Sequence, residues 1–377
     1  MREGWTYKKL GEVCEIVMGQ SPDGNSINEN EGIEFHQGKT CFGERFLTHS
    51  SLYTSKPAKF AEANSVLLCV RAPVGFPNIT KRRICIGRGL CSLVGSEEIS
   101  NMFLFYSLLG KQGYFEKNST GSTFKAISSK VISDANIPIP PLSEQLSIVA
   151  ELDKINELIN LKKAQLSDLD NLAQSIFYDM FGDPIENGKG WEVKKLGEIT
   201  EPTIGLTYKP DNVTSDGTGT IVLRSSNIQN SKLDFEDIVR VNVPIKDNKY
   251  VKDGDILMCS RNGSFRLVGK VAMIHALSEK MSYGAFMTII RSEYNPYLFG
   301  YFKTTAFREY LIQGKTTTVN QITVQMLKEI KLPLPPLPLQ QDFAKRIELI
   351  EQQKAQISST IKDLETLLAS RMQYWFD

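Results

Sequence analysis

Histidine is scarce: three in 377 residues, His36, His49 and His275. They are scattered, and none lies at metal-ligand spacing from a cysteine, which argues against a structural zinc site. The six cysteines form no Cys-x-x-Cys pair, and five fall in the first half of the chain, a usage expected of reduced thiols. No run of 18 apolar residues is present, so no membrane span is expected. The opening MREGWTYKKL has no apolar core of a secretory signal, and a cytoplasmic location is expected. Net charge is only +1, yet it is unevenly spread. Residues 1–140 carry +3 and 184–337 carry +4, whereas 141–183 and 338–377 carry −5 and −1. That distribution permits a polyanion on the two basic stretches without making either strongly basic.

Catalytic patterns are missing as well. An adenine methyltransferase needs a glycine-rich cofactor loop and an Asn/Asp-Pro-Pro-aromatic tetrad. The nearest string, Asn295-Pro296-Tyr297, lacks the second proline. A metal-dependent nuclease needs carboxylates and a lysine around one ion. Pro210-Asp211 with Asp247-Asn248-Lys249 imitates this only loosely, and the first half of the chain has no full counterpart. There is no GxxxxGK[ST] phosphate loop and no Ser/His or Cys/His set.

What is present is a duplication. WTYKKLGEVCEIVMG from Trp5 returns as WEVKKLGEITEPTIG from Trp191, and IPIPPL from Ile137 returns as LPLPPL from Leu332. Each copy then enters a long heptad stretch. Leu152, Ile159, Leu166, Ala173 and Met180 mark one seam of the first, with Ile148, Ile155, Leu169 and Ile176 on the companion seam. Ile347, Ile361, Leu368 and Trp375, with Phe343, Ile350, Ile357 and Leu364, mark the second stretch. Lys162, Lys354 and Arg371 are the polar interruptions. The matching phase predicts two helices lying along each other. Pro140-Pro141 and Pro335-Pro336 keep helix from starting earlier, and Ser143 is a candidate cap for the first helix. Gly182 and Pro184 stop it. The expected parts are a globular domain at 1–141, a long helix at 142–183, a second domain at 184–337 and a second helix at 338–377. Within the domains, Val66–Val70 and Asp255–Cys259 read as buried strands. Cys85–Leu90 and Met281–Ile290 read as a second pair, and Phe103–Leu109 and Tyr297–Tyr310 as helices with aromatic faces. Trp5 and Trp191 are expected to pack at domain edges, and Cys69 and Cys259 in cores.

The remaining signal is a set of Arg, Lys, Asn, Gln, Ser and Thr on loops, in both copies. These side chains read base edges, often bidentately, and hold phosphates. In the first copy the candidates are His36 with Gln37 and Lys39, then Arg71 and Arg88, then Ser122 and Thr123 with Lys125. In the second they are Arg224 with Asn227, Arg261 with Asn262 and Arg266, and Lys315, Thr317 and Asn320. Arg71 and Arg261 each follow a buried strand and are the strongest pair.

In their order, Trp-x-x-Lys-Lys-Leu-Gly-Glu twice, RAPVG at Arg71, CIGRGL at Cys85, IPIPPLSEQ at Ile137 and MFGDP at Met180 resemble the specificity subunit of type I restriction-modification systems. The resemblance covers nearly the whole chain. It implies a mixed α/β (α+β) fold with two target-recognition domains, and an antiparallel coiled coil of the long helices with pseudo-twofold symmetry. It implies a non-catalytic subunit that reads a split, asymmetric site in double-stranded DNA. Two methyltransferase subunits carrying S-adenosylmethionine, and a motor-nuclease subunit using ATP and Mg, are the implied partners. The runner-up is a coiled-coil adaptor whose globular domains bind protein; a stand-alone methyltransferase or nuclease is the third reading. One departure is Leu337-Pro338-Leu339-Gln340 where the first copy has Leu142-Ser143-Glu144-Gln145, so the two docking faces need not be equivalent.

Overall fold

The computed structural model describes residues 4–121, 125–313 and 320–376. The chain divides into two compact units: Met1–Lys163 with Ser359–Asp377, and Ala164–Ser358. Each long helix, Leu142–Phe181 and Leu337–Phe376, therefore lends one half to each unit.

In the first unit, strand Thr6–Lys9 pairs antiparallel with Asn136–Ile139, with Thr6 opposite Ile139. This brings the start of the domain beside the root of the long helix Leu142–Phe181. A four-stranded sheet runs in the order Cys14–Met18, Leu90–Gly95, Val66–Cys69, Pro77–Ile79. A five-stranded sheet runs Ile27–Asn28, Tyr53–Thr54, Ile33–His36, Ile84–Ile86, Phe60–Ala61. Val66–Cys69 is buried along its length, as an apolar run bounded by turns should be. Helix Asn101–Gly110 closes the core with Phe103, Leu104 and Leu108, none of which has any exposed surface.

The second unit repeats the plan. Glu192–Lys195 pairs with Lys331–Leu334 just before the long helix Leu337–Phe376. One four-stranded sheet runs Thr203–Ile204, Met287–Ile290, Ile256–Cys259, Val271–Met273, and a second runs Val213–Thr214, Arg240–Val241, Thr220–Leu223, Met281–Tyr283. A short hairpin, Ile228–Gln229 with Lys232–Leu233, has no counterpart among the described residues of the first unit.

Three expectations are corrected. Cys85–Leu90 and Met281–Ile290 are not single strands: each is the end of one strand, a turn, and the start of another in a different sheet. Glycine makes the first break possible, because a Cβ on Gly89 would lie 2.2 Å from the Gln37 carbonyl oxygen. Tyr297–Tyr310 is two helices, Asn295–Phe302 and Thr305–Gln313. Ser143 does not cap the first long helix, which already begins at Leu142. A buried glutamine secures that root instead. Gln145 Oε1 accepts from the Ser100 N–H at 3.0 Å, and Nε2 donates to the Glu98 and Pro140 carbonyls. Gln340 is its counterpart, donating to the Pro335 carbonyl at 2.6 Å.

The heptad seams are where the pattern placed them. In the first unit Ile148, Leu152, Ile155 and Ile159 are buried, as is Ile361 on the opposing helix. Arg371 Nη2 meets Glu151 Oε2 at 3.0 Å and Lys163 meets Glu365, so the helices run antiparallel there. In the second unit Phe343, Ile350 and Ile357 are buried, and Lys354 Nζ reaches Asp170 Oδ1 at 2.6 Å, again antiparallel. Trp5 stacks on Trp375 with ring planes 10° apart, and Trp191 Nε1 donates to the Phe181 carbonyl. Gly182 ends the first long helix at φ +80°, its N–H donating to the Tyr178 carbonyl. The string Asn295-Pro296-Tyr297 is core: Tyr297 has no exposed surface and stacks on Phe177.

Candidate nucleic-acid interface

Each unit carries a cleft at the junction of its two sheets, and the two clefts have the same backbone frame. In the first unit, the Gly87 N–H donates to the His36 carbonyl, Leu90 N–H to Gly87, Gly19 N–H to Leu90 and Val70 N–H to Gly89. In the second, Gly284 donates to Leu223, Met287 to Gly284, Gly205 to Met287 and Ser260 to Phe286. The strand before each key arginine is fixed alike. Cys69 Sγ donates to the Arg71 carbonyl at 3.4 Å, and Cys259 Sγ to the Arg261 carbonyl at 3.7 Å. Arg71 forms an isolated bridge with Ala126, and Arg261 with Gln321. Both cysteines are core residues, and burial pushes both thiols up.

The first cleft, of about 130 Å³, is lined by Gln37, Gly38, Lys39, Cys69, Arg71, Ala72, Arg88 and Gly89. Four residues singled out in the sequence, Gln37, Lys39, Arg71 and Arg88, are thus gathered in one place, and all four are exposed. No carboxylate lines the cleft. Lys39, Arg71 and Arg88 have no ion-pair partner among the described residues, whereas Arg45, Arg82 and Arg83 nearby are all paired. Three cations without a carboxylate partner among the described residues thus share one concave surface, a charge pattern suited to an anion. Lys125 is exposed, and its carbonyl accepts from the Ala72 N–H at 3.0 Å, so its loop is held beside Arg71. Ser122 and Thr123 lie outside the described residues. His36 points inward: it is 2% exposed and hydrogen-bonds Glu34 at 2.9 Å, so it is a brace and not a reader. Burial would push the Glu34 carboxyl up, but the Arg82 guanidinium, the Ser50 N–H and His36 outweigh it and hold the group at about 2. Burial also lowers His36, against the pull of Glu34.

The second cleft, of about 550 Å³, brings Arg224, Arg261 and Asn262 together with Tyr208, Ser225, Asp237 and Phe286. Arg224 Nη2 is paired with Asp237 Oδ2 at 2.6 Å, and Asn262 Nδ2 donates to Ser225 Oγ at 3.0 Å. The Arg261 guanidinium lies over the Phe286 ring, 5.3 Å from its centroid. Asn227 is corrected. It is 1% exposed, donates to the Asp234 and Asp237 carbonyls and accepts from the Arg224 N–H, so its polar atoms are committed to the turn. Asn320 buttresses the cleft from outside, donating to the Gly263 carbonyl and accepting from the Asn262 N–H. Arg266 is exposed in the short turn Phe265–Leu267 and does not line the cleft. Lys315 and Thr317 lie outside the described residues. Tyr208, Asp237 and Phe286 escaped the sequence reading. For Phe286 a signal existed: the turn Gly87-Arg88-Gly89 is matched by Gly284-Ala285-Phe286.

Among the described residues no helix is long and apolar enough to cross a membrane. The family described as type I restriction modification DNA specificity domain matches twice, over residues 2–171 and 188–366. The putative type I restriction enzyme MjaX specificity subunit of Methanocaldococcus jannaschii is 39% identical over 178 residues, 46% of this chain and 42% of that protein. The MjaIX specificity subunit of the same organism is 27% identical over 53% of this chain and 52% of its own length, so the chain's match spans about half of these two relatives. The MjaVIII specificity subunit is 22% identical over 97% of this chain and 92% of that protein. Among solved structures, the S subunit of a type I restriction-modification system from M. genitalium shares the fold at TM-score 0.57, with 17% identity over 99% of this chain and 96% of that one. A chain solved in a study of complex assembly and conformational transition of the type I R-M system shares it at 0.64, with 19% identity over 100% and 98%. With both tandem halves matched, the chain belongs to the family of type I restriction-modification DNA specificity domains.

Proposed function

We propose that the chain is the non-catalytic, sequence-reading subunit of a type I restriction-modification complex. In this reading each cleft takes one half of a split target in double-stranded DNA. Two methyltransferase subunits bearing S-adenosylmethionine, and a motor-nuclease subunit using ATP and Mg, assemble on the same chain. The observation that carries the reading is the repeated cleft: one backbone frame used twice, with a shared arginine and different neighbours. A shared frame supports a shared task, and different linings support two different half-sites and hence an asymmetric target. Linking two weak readers in one chain makes the second contact intramolecular, which multiplies affinity without new contacts. The long helices, each unbroken over 40 residues, are suited to fixing the spacing, because intervening base pairs then need no reading.

The test uses the chain reconstituted with its methyltransferase partners, on duplexes built from the methylated sequences of the host genome. Binding to the bipartite duplex should be strongly salt-dependent and should collapse when one base pair is added between the half-sites. Equal affinity for both spacings refutes the fixed-spacing reading, and equal affinity for random duplex refutes sequence reading altogether.

A further inference from the structure

The two clefts differ most sharply at one point of their common frame. The carbonyl that accepts the inward N–H of the arginine strand belongs to Gly89 in the first unit and to Phe286 in the second. In the first unit no side chain fits there, because a Cβ on Gly89 would lie 2.2 Å from the Gln37 carbonyl oxygen. In the second the position carries a whole phenyl ring, which is 57% exposed and lines the cleft. The residue before it changes in the opposite sense, Arg88 in the first unit and Ala285 in the second. One turn therefore offers a cation in one unit and an apolar ring in the other.

Phe286 stands outside the apolar core of its unit, and an exposed ring in a polar cleft gains nothing from water. Its ring centroid lies 5.3 Å from the Arg261 guanidinium, and both side chains line the same cleft. Among the edges of the four bases in the major groove, only thymine presents an apolar group, its C5 methyl. A ring beside an arginine suits a methyl next to an acceptor-rich base or a phosphate. We propose that Phe286 is a specificity-determining residue that packs on the C5 methyl of a thymine in the second half-site. The first cleft, with Gly89 at that position, has no such reader. The inference rests on the DNA-recognition reading above.

The test uses the same reconstituted complex and replaces each thymine of the second half-site by deoxyuridine, one at a time, which removes only the methyl. One replacement should weaken the wild-type complex about three- to fivefold, the worth of one buried methyl. In Phe286→Ala that difference should vanish, and in Phe286→Leu part of it should return. The fold survives the change, because Phe286 serves the frame through its backbone carbonyl; both variants should melt with the wild type, which keeps a loss of binding separate from a loss of fold. If the wild type tolerates every deoxyuridine, or if the difference persists in Phe286→Ala, the proposal is overturned. An equal loss on thymine and deoxyuridine duplexes also overturns it, in favour of a wedge between base steps. A wild-type complex that binds no duplex overturns the DNA reading itself, and this inference with it.

Discussion

Arg71→Ala and Arg261→Ala are the most direct probes of the two clefts. The root of each arginine is fixed: a buried strand leads into it, a cysteine thiol holds its carbonyl, and a bridge to Ala126 or Gln321 holds its flank. Substitution therefore removes the guanidinium and, at Arg261, its contact with the Phe286 ring, while the backbone frame stays. Neither guanidinium has an ion-pair partner among the described residues, so no buried charge is left behind. An arginine bidentate to guanine is worth about 1–3 kcal/mol of discrimination, or about 5- to 150-fold in affinity. An arginine on a phosphate costs a different quantity. It reduces the slope of log affinity against log salt by about 0.9, which is roughly 3.5-fold between 50 and 200 mM, on any sequence. Fluorescence anisotropy on target and random duplexes at three salt concentrations separates the two. The expected result is a loss of about 5- to 150-fold confined to the target duplex. Arg71→Lys should not restore it, since an ammonium cannot form the fork. Equal losses on both duplexes with a shallower salt slope would refute base reading; no loss on either would refute the cleft as an interface.

Two further outcomes concern the support beneath the clefts. Arg82→Met strands the Glu34 carboxylate, which is 7% exposed, and should cost about 2–4 kcal/mol, read by denaturant melting at pH 7. Glu34 is held at about 2, below its ordinary value of 4.5. Its contribution is therefore fully present above 4.5 and fades as pH falls from there towards 2, and Arg82→Met should flatten that acid limb; an unchanged limb refutes the pairing. Gln145→Leu strands the Ser100 N–H and two carbonyls and should cost about 2–4 kcal/mol, whereas Gln340→Leu, which loses one bond, should cost about 1 kcal/mol. Equal shifts in melting temperature would refute that ranking.

Most of the fold was legible because it rests on periodic patterns. The heptad positions Ile148, Leu152, Ile155 and Ile159 had to face a partner, and Val66–Cys69 had to be a buried strand. The polar interruptions were legible as interruptions only. That Arg371 would meet Glu151, and Lys354 would meet Asp170, depends on the offset between two segments far apart in sequence. Such pairs favour one register, because sliding one helix by a turn would part Lys354, which is largely buried, from Asp170, and Arg371 from Glu151. The breaks at Gly87–Gly89 and Gly284–Phe286 were not legible because strand-forming residues on both sides of a glycine do not reveal that the two sides join different sheets. The clefts were half legible. Exposed Arg71, Arg88 and Lys39 stood out by residue type, while Asn227 looked identical to a reader and proved to be a turn former. Phe286 was passed over because a lone phenylalanine next to a strand usually belongs to a core.

A duplicated chain carries its own control for separating frame from function. Where both units keep a residue type and a bond, as with the thiols of Cys69 and Cys259 on the Arg71 and Arg261 carbonyls or Gln145 and Gln340 on the Pro140 and Pro335 carbonyls, the residue serves the frame. Where the frame persists and the side chain changes, as with Gly89 and Phe286, or with Gln37-Gly38-Lys39 and Arg224-Ser225 after the same strand end, the frame does not require the side chain, which is left free to set the chemistry of the cleft. Arg71 and Arg261 fall between these classes: same residue, same anchoring, exposed head. The backbone is anchored alike at both positions while the side-chain surroundings differ, Phe286 lying beside Arg261 and Gly89 holding the matching point of the first cleft; if the backbone frame governs the contact, the two arginines fall in the same class in the salt experiment. Should Arg71→Ala lose only target binding while Arg261→Ala loses binding to every duplex equally, the common frame would not determine how an arginine in it contacts DNA.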